Sequence, residues 1–290
     1  MVNRYRLTSS VYDREEEKDR IEPLKIYFLS VEGNRTEKEY FQGVSCNKKA
    51  LGIHARIDVE VLGRSPKDTN SAPKQVIELL EEYIQLREQD DKDMFRDLPE
   101  EFKRQYPVEF IKTFLSDPKQ LGKRERNLFL TELTKLGYDM NYRKYLKKYD
   151  SQLDEFCILI DRDMQTHSEV NMRDCIRYCE EKHYSCYIAN PCFEFWLLLH
   201  LSDVKHEYND HLEDILENKK VSGNHTYVSK EVSDKARHGK SGINFTKNYL
   251  PNVDKAIERA KGFASDEYGL ISEIGCNLWK LMEEMKAFTP

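Results

Sequence analysis

The sequence predicts an α/β protein, a mostly parallel sheet flanked by helices and interrupted by an inserted helical subdomain. Three observations carry that reading. Two short runs, Lys25–Val31 (KIYFLSV) and Phe156–Ile160 (FCILI), are apolar without alternation, the pattern of strands covered on both faces. A third, residues 55–62 (ARIDVEVL), sets Ile57, Val59 and Val61 against Arg56, Asp58 and Glu60, as a half-buried strand near a sheet edge does. Between these runs apolar residues recur at helical spacing.

Length and composition set the outer limits. A chain of 290 residues with 39% hydrophobic residues suffices for one large α/β domain or a domain with a sizeable insertion. The net charge of −6 argues against a protein that is basic overall, so contact with nucleic acid requires a local patch. Seven cysteines without framework spacing, and no apolar leader, point to a reducing cytoplasm. No apolar run approaches the roughly 20 residues that span a bilayer, so a membrane protein is not expected.

In chain order, residues 1–23 read as a polar, flexible N-terminal arm closed by Pro23. The first buried strand ends at Val31, and Glu32-Gly33-Asn34-Arg35 turns the chain. Thr36 and Glu39 have the spacing of a capping box for a helix carrying Tyr40, Phe41 and Val44. After the alternating strand and a polar loop, a helix is expected from about Lys74 to Gln89. Residues 90–150 are charged, broken by Pro99, Pro107, Pro118 and Gly137, and lack any strand-like run. They form the helical insertion in an α/β domain made of residues 24–89 and 151–290. Beyond the second buried strand come a helix from Glu169 to Lys182 and a strand from Ser185 to Ala189. Asn190 and Pro191 are then expected to cap and open a buried helix, CFEFWLLLHL. Residues 219–261 hold ten Lys/Arg against four acids, and an amphipathic helix around Cys276–Met285 closes the chain.

The chemistry is carried by acids at strand ends. Glu32 follows the first buried strand, and Asp161 and Asp163 follow the second. Parallel strands bring such residues to one rim of the sheet, where α/β proteins bind ligands. Hard divalent ions such as Mg²⁺ or Mn²⁺ take oxygen ligands from one or two carboxylates plus substrate phosphate. A D-x-D in extended backbone places both carboxylates on one side. Each acid alone has a plainer explanation as turn former or helix cap, and Glu37 reads as a first-turn acid favouring the helix dipole. Glu194 sits among apolar neighbours and needs a partner, which a metal, a lysine or backbone N–H groups would supply.

Three ordered motifs give the sequence a relative. V-E-G-x-x-T-E-x-x-Y-F (Val31–Phe41), I-D-R-D (Ile160–Asp163) and A-N-P-C-F-E-F-W-L-L-L-H (Ala189–His200) together resemble the RloB-like proteins, within the wider Toprim group that includes OLD-type nucleases. The resemblance covers about residues 24–88 and 154–290, and the segment 90–150 is longer than the family pattern leads one to expect. It implies a Toprim-like fold and a Mg²⁺-dependent nuclease acting on DNA or RNA. Glu32, Asp161, Asp163 and Glu194 would then be both metal ligands and catalytic groups. It further implies an anti-phage, abortive-infection role beside an ABC-type, OLD-like ATPase partner. A non-catalytic Toprim-derived module that binds such an ATPase or a nucleotide is the alternative, and a homo-oligomer stays open.

For nucleic-acid contact the candidates are Lys219, Lys220, Lys235, Arg237, Lys240 and Lys247, with Lys240 as a further catalytic candidate that stabilises the scissile phosphate. Gly239-Lys240-Ser241 is not a P-loop, because Asp234 stands where the motif needs glycine. Cys175, Cys179, His183 and Cys186 lack zinc spacing, and Met172, Cys175, Ile176 and Cys179 instead form one helical stripe for core packing. His200 is expected to be a satisfied buried histidine.

Overall fold

The structure, a computed structural model, describes residues 23–33, 35–62, 72–88, 98, 100–117, 120–135, 153–223, 225–236 and 242–289. Five strands form its sheet: β1 (Lys25–Val31), β2 (Ile57–Val61), β3 (Glu155–Asp161), β4 (Ser185–Asn190) and the two-residue β5 (Gly275–Cys276). Their order is β2-β1-β3-β4-β5, with every pairing parallel except β4 with β5. The apolar β1 and β3 are inner strands, and alternating β2 is an edge, buried at every second residue. The fold is therefore α/β with a mostly parallel sheet, as expected.

The helices are α1 (Thr36–Cys46), α2 (Lys48–Leu51), α3 (Pro73–Glu88), α4 (Glu100–Gln105), α5 (Val108–Ser116), α6 (Lys123–Lys135), α7 (Glu169–Lys182), α8 (Phe193–Leu201), α9 (Val204–Glu207), α10 (Leu212–Glu217), α11 (Tyr227–Ala236), α12 (Val253–Ala260) and α13 (Leu278–Ala287). Tyr27, Leu29, Val31 and Leu159 bury one sheet face with Tyr40 and Phe41 of α1, the apolar α8, and residues of α11, α12 and α13. On the other face, Ser30 Oγ of β1 donates to Val76 O of α3 at 2.7 Å. The stripe Met172, Cys175, Ile176 and Cys179 is the buried side of α7, which packs on β4. Ser168 caps α7, its oxygen accepting the Asn171 N–H at 3.2 Å, and His183 ends it in a left-handed conformation.

The described residues fall into two compact units, one within 81–135, the other made of 23–62, 72–80 and 153–289. The described residues of the first are helical, in α4, α5 and α6. Phe129 of α6 forms its centre, with Tyr106 and Phe114 rings at 4.6 Å and Phe102 at 5.0 Å. The second contains the sheet. No helix among the described residues is long and apolar enough to cross a membrane. Residues 1–22 of the expected N-terminal arm lie outside the described residues.

Several local expectations are corrected. Thr36 makes no cap: Arg35 occupies the N-cap position of α1, and its side chain does not cap the helix. Glu39 instead accepts the Ile243 N–H at 2.6 Å and the Arg35 guanidinium at 2.6 Å, so a tertiary contact outcompetes the local box. Asn190 ends β4 rather than capping α8, whose N-cap is Cys192, and the Asn190–Pro191 peptide is cis. Asn190 Nδ2 donates to Leu270 O and Glu273 O, tying the sheet to the turn before β5. The basic stretch 219–261 is organised as α11, a π-helical turn (Phe245–Tyr249) and α12, and β5 precedes the last helix.

Candidate active site

The chain runs from β1 out to β2, then returns to β3 on the other flank of β1. Strand order thus reverses between β1 and β3, the place where open α/β sheets form a ligand crevice beyond their carboxyl ends. β1, β3 and β4 are parallel neighbours, so the residues following them share one rim. A cleft of about 940 Å³ opens there, and Glu32, Asp161, Asp163 and Glu194 all line it. Fold topology thus brings together all four acids singled out from the sequence.

Asp161 is the most constrained. Its Oδ1 accepts the Phe193 N–H at 2.8 Å, at the start of α8. Burial, then the nearby Glu32, Glu37 and Glu194 carboxylates, push it well above the usual carboxylate range. Glu37, read from sequence only as a first-turn acid, folds back so that its Oε1 accepts the Gly33 N–H at 3.0 Å. A Cβ at Gly33 would stand 2.2 Å from that carboxylate, so a larger residue there requires Glu37 to swing away from the turn.

Asp163 departs from the expected extended D-x-D. β3 ends at Asp161, and Asp163 has φ of 24°, so the backbone turns. Its Oδ1 accepts the Gln165 N–H at 3.2 Å, and its carbonyl accepts the His167 N–H at 2.9 Å. Asp163 is therefore a turn former that also lines the cleft. The turn returns His167, which sequence reasoning missed, to the acids: Nδ1 lies 3.0 Å from Asp161 O and 3.9 Å from Glu32 Oε1. The intervening Arg162 is buried and donates to Ile271 O at 2.5 Å and His167 O at 2.7 Å, bracing the loop. Only the position of His167, six residues beyond Asp161 in a polar loop, could have flagged it.

The donor chemistry fits a hard divalent cation, because a cation offsets both the burial and the nearby carboxylates that raise Asp161. No group of three His, Cys, Asp or Glu side chains among the described residues is arranged to hold an ion as it stands. Mg²⁺ commonly takes only one or two carboxylates and fills its remaining positions with water and phosphate.

The candidate cations scatter. Lys220 lines the cleft, as do Arg35 and His225. Lys219 pairs with Glu217 at 2.6 Å, Lys235 pairs with Glu207 at 2.8 Å, and Lys247 is exposed on the π-helical turn. Arg237 and Lys240, with the rejected P-loop glycine, lie outside the described residues. Arg259 donates to the Leu199 and His200 carbonyls and so serves the end of α8. His200 is buried and satisfied, with Nδ1 at 2.9 Å from Trp196 O and Nε2 at 3.1 Å from the Tyr40 hydroxyl.

The family model for RloB-like proteins matches residues 27–285, a span that includes every residue of this cleft. The chain belongs to the RloB-like protein family. The matched span also includes residues 90–150. Neither the curated proteins nor the solved structures contain a match.

Proposed function

We propose that this RloB-like chain is a metal-dependent nuclease that hydrolyses phosphodiester bonds of DNA or RNA. The observation that carries the reading is the convergence on one cleft of Glu32 after β1, Asp161 at the end of β3 and Glu194 on the helix that follows β4. Glu32, Asp161, Asp163 and Glu194 would hold Mg²⁺ or Mn²⁺. When bound, such an ion neutralises charge at phosphorus and lowers the pKa of a bound water. The protein's own contribution is orientation: the Phe193 N–H fixes Asp161, and the Gly33 N–H fixes Glu37. Lys220 and Arg35 on the cleft wall suit the phosphates of the substrate.

By the same resemblance we propose a cytoplasmic effector of anti-phage defence working with an ABC-type, OLD-like ATPase. Purified protein, alone and with that partner, should cleave DNA or RNA when Mg²⁺ or Mn²⁺ is supplied. Glu32→Gln and Asp161→Asn should each reduce cleavage by at least about 100-fold. Undiminished cleavage in both would refute the assignment.

One observation favours a second reading, a non-catalytic module for an ATPase or nucleotide: no three ligands are gathered around a point among the described residues. Calorimetry separates the two. Absence of Mn²⁺ binding together with intact partner binding would support the module.

A further inference from the structure

We infer that Asn218 is a positioning residue: it ties the cleft wall bearing Lys220 to the elements that carry the acids, so that a substrate phosphate meets both at one spacing. The inference deepens the nuclease reading and rests on it.

Asn218 ends α10 with φ of 43°, a left-handed backbone that asparagine tolerates better than most side chains. The chain then pairs Lys220 with Thr226 in antiparallel fashion and returns to open α11. The Val221 and Ser222 N–H groups donate to His225 O at 3.0 and 3.2 Å, and the Tyr227 N–H donates to Lys219 O at 2.9 Å. Successive residues of extended backbone face opposite ways. Lys219 accordingly pairs with Glu217, whereas Lys220 lines the cleft with His225 and Thr226.

The root of this hairpin is held from two sides. Asn218 Oδ1 accepts the Val228 N–H at 2.9 Å, a first-turn amide of α11 that no carbonyl of its own helix can reach. Asn218 Nδ2 donates to Cys192 Sγ at 3.4 Å. Cys192 is the N-cap of α8, one residue before the Phe193 N–H that holds Asp161. From the other side, Gln165 Nε2 donates to Glu217 O at 3.0 Å, and the Gln165 N–H donates to Asp163 Oδ1 at 3.2 Å. Residues 217 and 218 thus join the start of α8 and the turn made by Asp163.

A lysine carries its charge on a flexible four-carbon stem, so its precision comes from a fixed main chain. Holding the lysine and the acids at one spacing lowers the entropy lost when a phosphate bridges them. Asn218 acts through Lys220, and its loss should matter only while Lys220 is present.

Glycine at 218 keeps the left-handed turn and removes both side-chain bonds. Binding of a fluorescent single-stranded oligonucleotide across KCl, at constant Ca²⁺, is measured for wild type, N218G, K220A and the double variant. N218G should weaken binding by about five- to tenfold and make the salt slope shallower by about one. Added to K220A, it should change neither. Equal weakening in both backgrounds, as a merely structural asparagine would give, overturns the inference, and so does wild-type affinity in N218G. Should N218G not fold, Q165A replaces it, because Gln165 is exposed; the same coupling to K220A is expected, and its absence overturns the role. A wild-type protein that binds no oligonucleotide overturns the nuclease reading and this role with it, whereas binding without coupling overturns the role alone.

Discussion

His200 and His167 are both buried rings whose Nδ1 meets a main-chain carbonyl, yet His167 lines the cleft and His200 does not. His200 Nε2 accepts the Tyr40 hydroxyl at 3.1 Å inside the aromatic core, so every polar position of the neutral ring is used. Burial lowers its pKa to about 3. Between that value and the ordinary 6.5, the unfolded chain binds a proton that the fold refuses. Stability should therefore rise with pH through this window and fall on acidification, by up to about 1.4 kcal/mol per pH unit. Urea unfolding at pH 5 and pH 7 measures the difference, and H200Q should shrink it. An equal pH dependence in H200Q would assign the effect to other groups. At this scale the sequence was legible wherever a side chain's neighbours follow from its own element. Glu32 and Asp161 end apolar strands, and His200 ends an apolar helix, so each announced its place. Glu37 and His167 did not, because the first reaches back four residues to Gly33 and the second is returned by the turn at Asp163. Asp163 was placed at the right rim for an incomplete reason, since an extended D-x-D was assumed and a positive φ is found.

Elements with a strong period were read nearly to their ends: α7 spans the expected residues, and β1, β2, β3 and β4 all lie where apolar runs or alternation put them. What escaped were elements made by tertiary partners. β5 has only two residues and no period of its own. Asn277 holds the chain beside it: its Oδ1 accepts the Ile188 N–H at 2.7 Å, and its Nδ2 donates to Cys186 O at 3.0 Å and Glu267 at 2.9 Å. Asn277 is wholly buried, so truncation leaves main-chain groups of β4 unsatisfied in the interior. N277A should cost about 2–4 kcal/mol, a sum over lost partners at about 1–3 each. Chemical unfolding checks the magnitude, and faster amide exchange at Ile188 checks the cause. A loss below about 0.5 kcal/mol would mean that β5 is not secured by this residue. The Thr36–Glu39 box failed for the same kind of reason: Glu39 bonds a residue about two hundred positions away, which no local spacing encodes.

At the scale of the whole molecule, charge decides how a polyanion can be held. The net charge of −6 opposes one at long range, and several cations of the basic stretch 219–261 are engaged within the fold. Lys219, Lys235 and Lys261 pair with Glu217, Glu207 and Glu283, and Arg259 serves the carbonyl end of α8. Exposed pairs of this kind are weak, yet they lower the charge a passing phosphate meets. Lys220, by contrast, stands on the wall of the cleft that holds the acids, as does Arg35 with its partner Glu39. Nucleic acid should therefore be bound through few phosphates and through whatever cation the acids hold, rather than across a basic face. Each phosphate neutralised contributes about 0.7–0.9 to the slope of log affinity against log salt. Titration of a fluorescent single-stranded oligonucleotide against KCl at constant Ca²⁺ should give a slope of only about −1 to −3. K220A should make it shallower by about one, and removal of Ca²⁺ should weaken binding further. A slope of about −7, as ten cations acting together on a single strand would give, would place the interface on the basic stretch instead of the cleft.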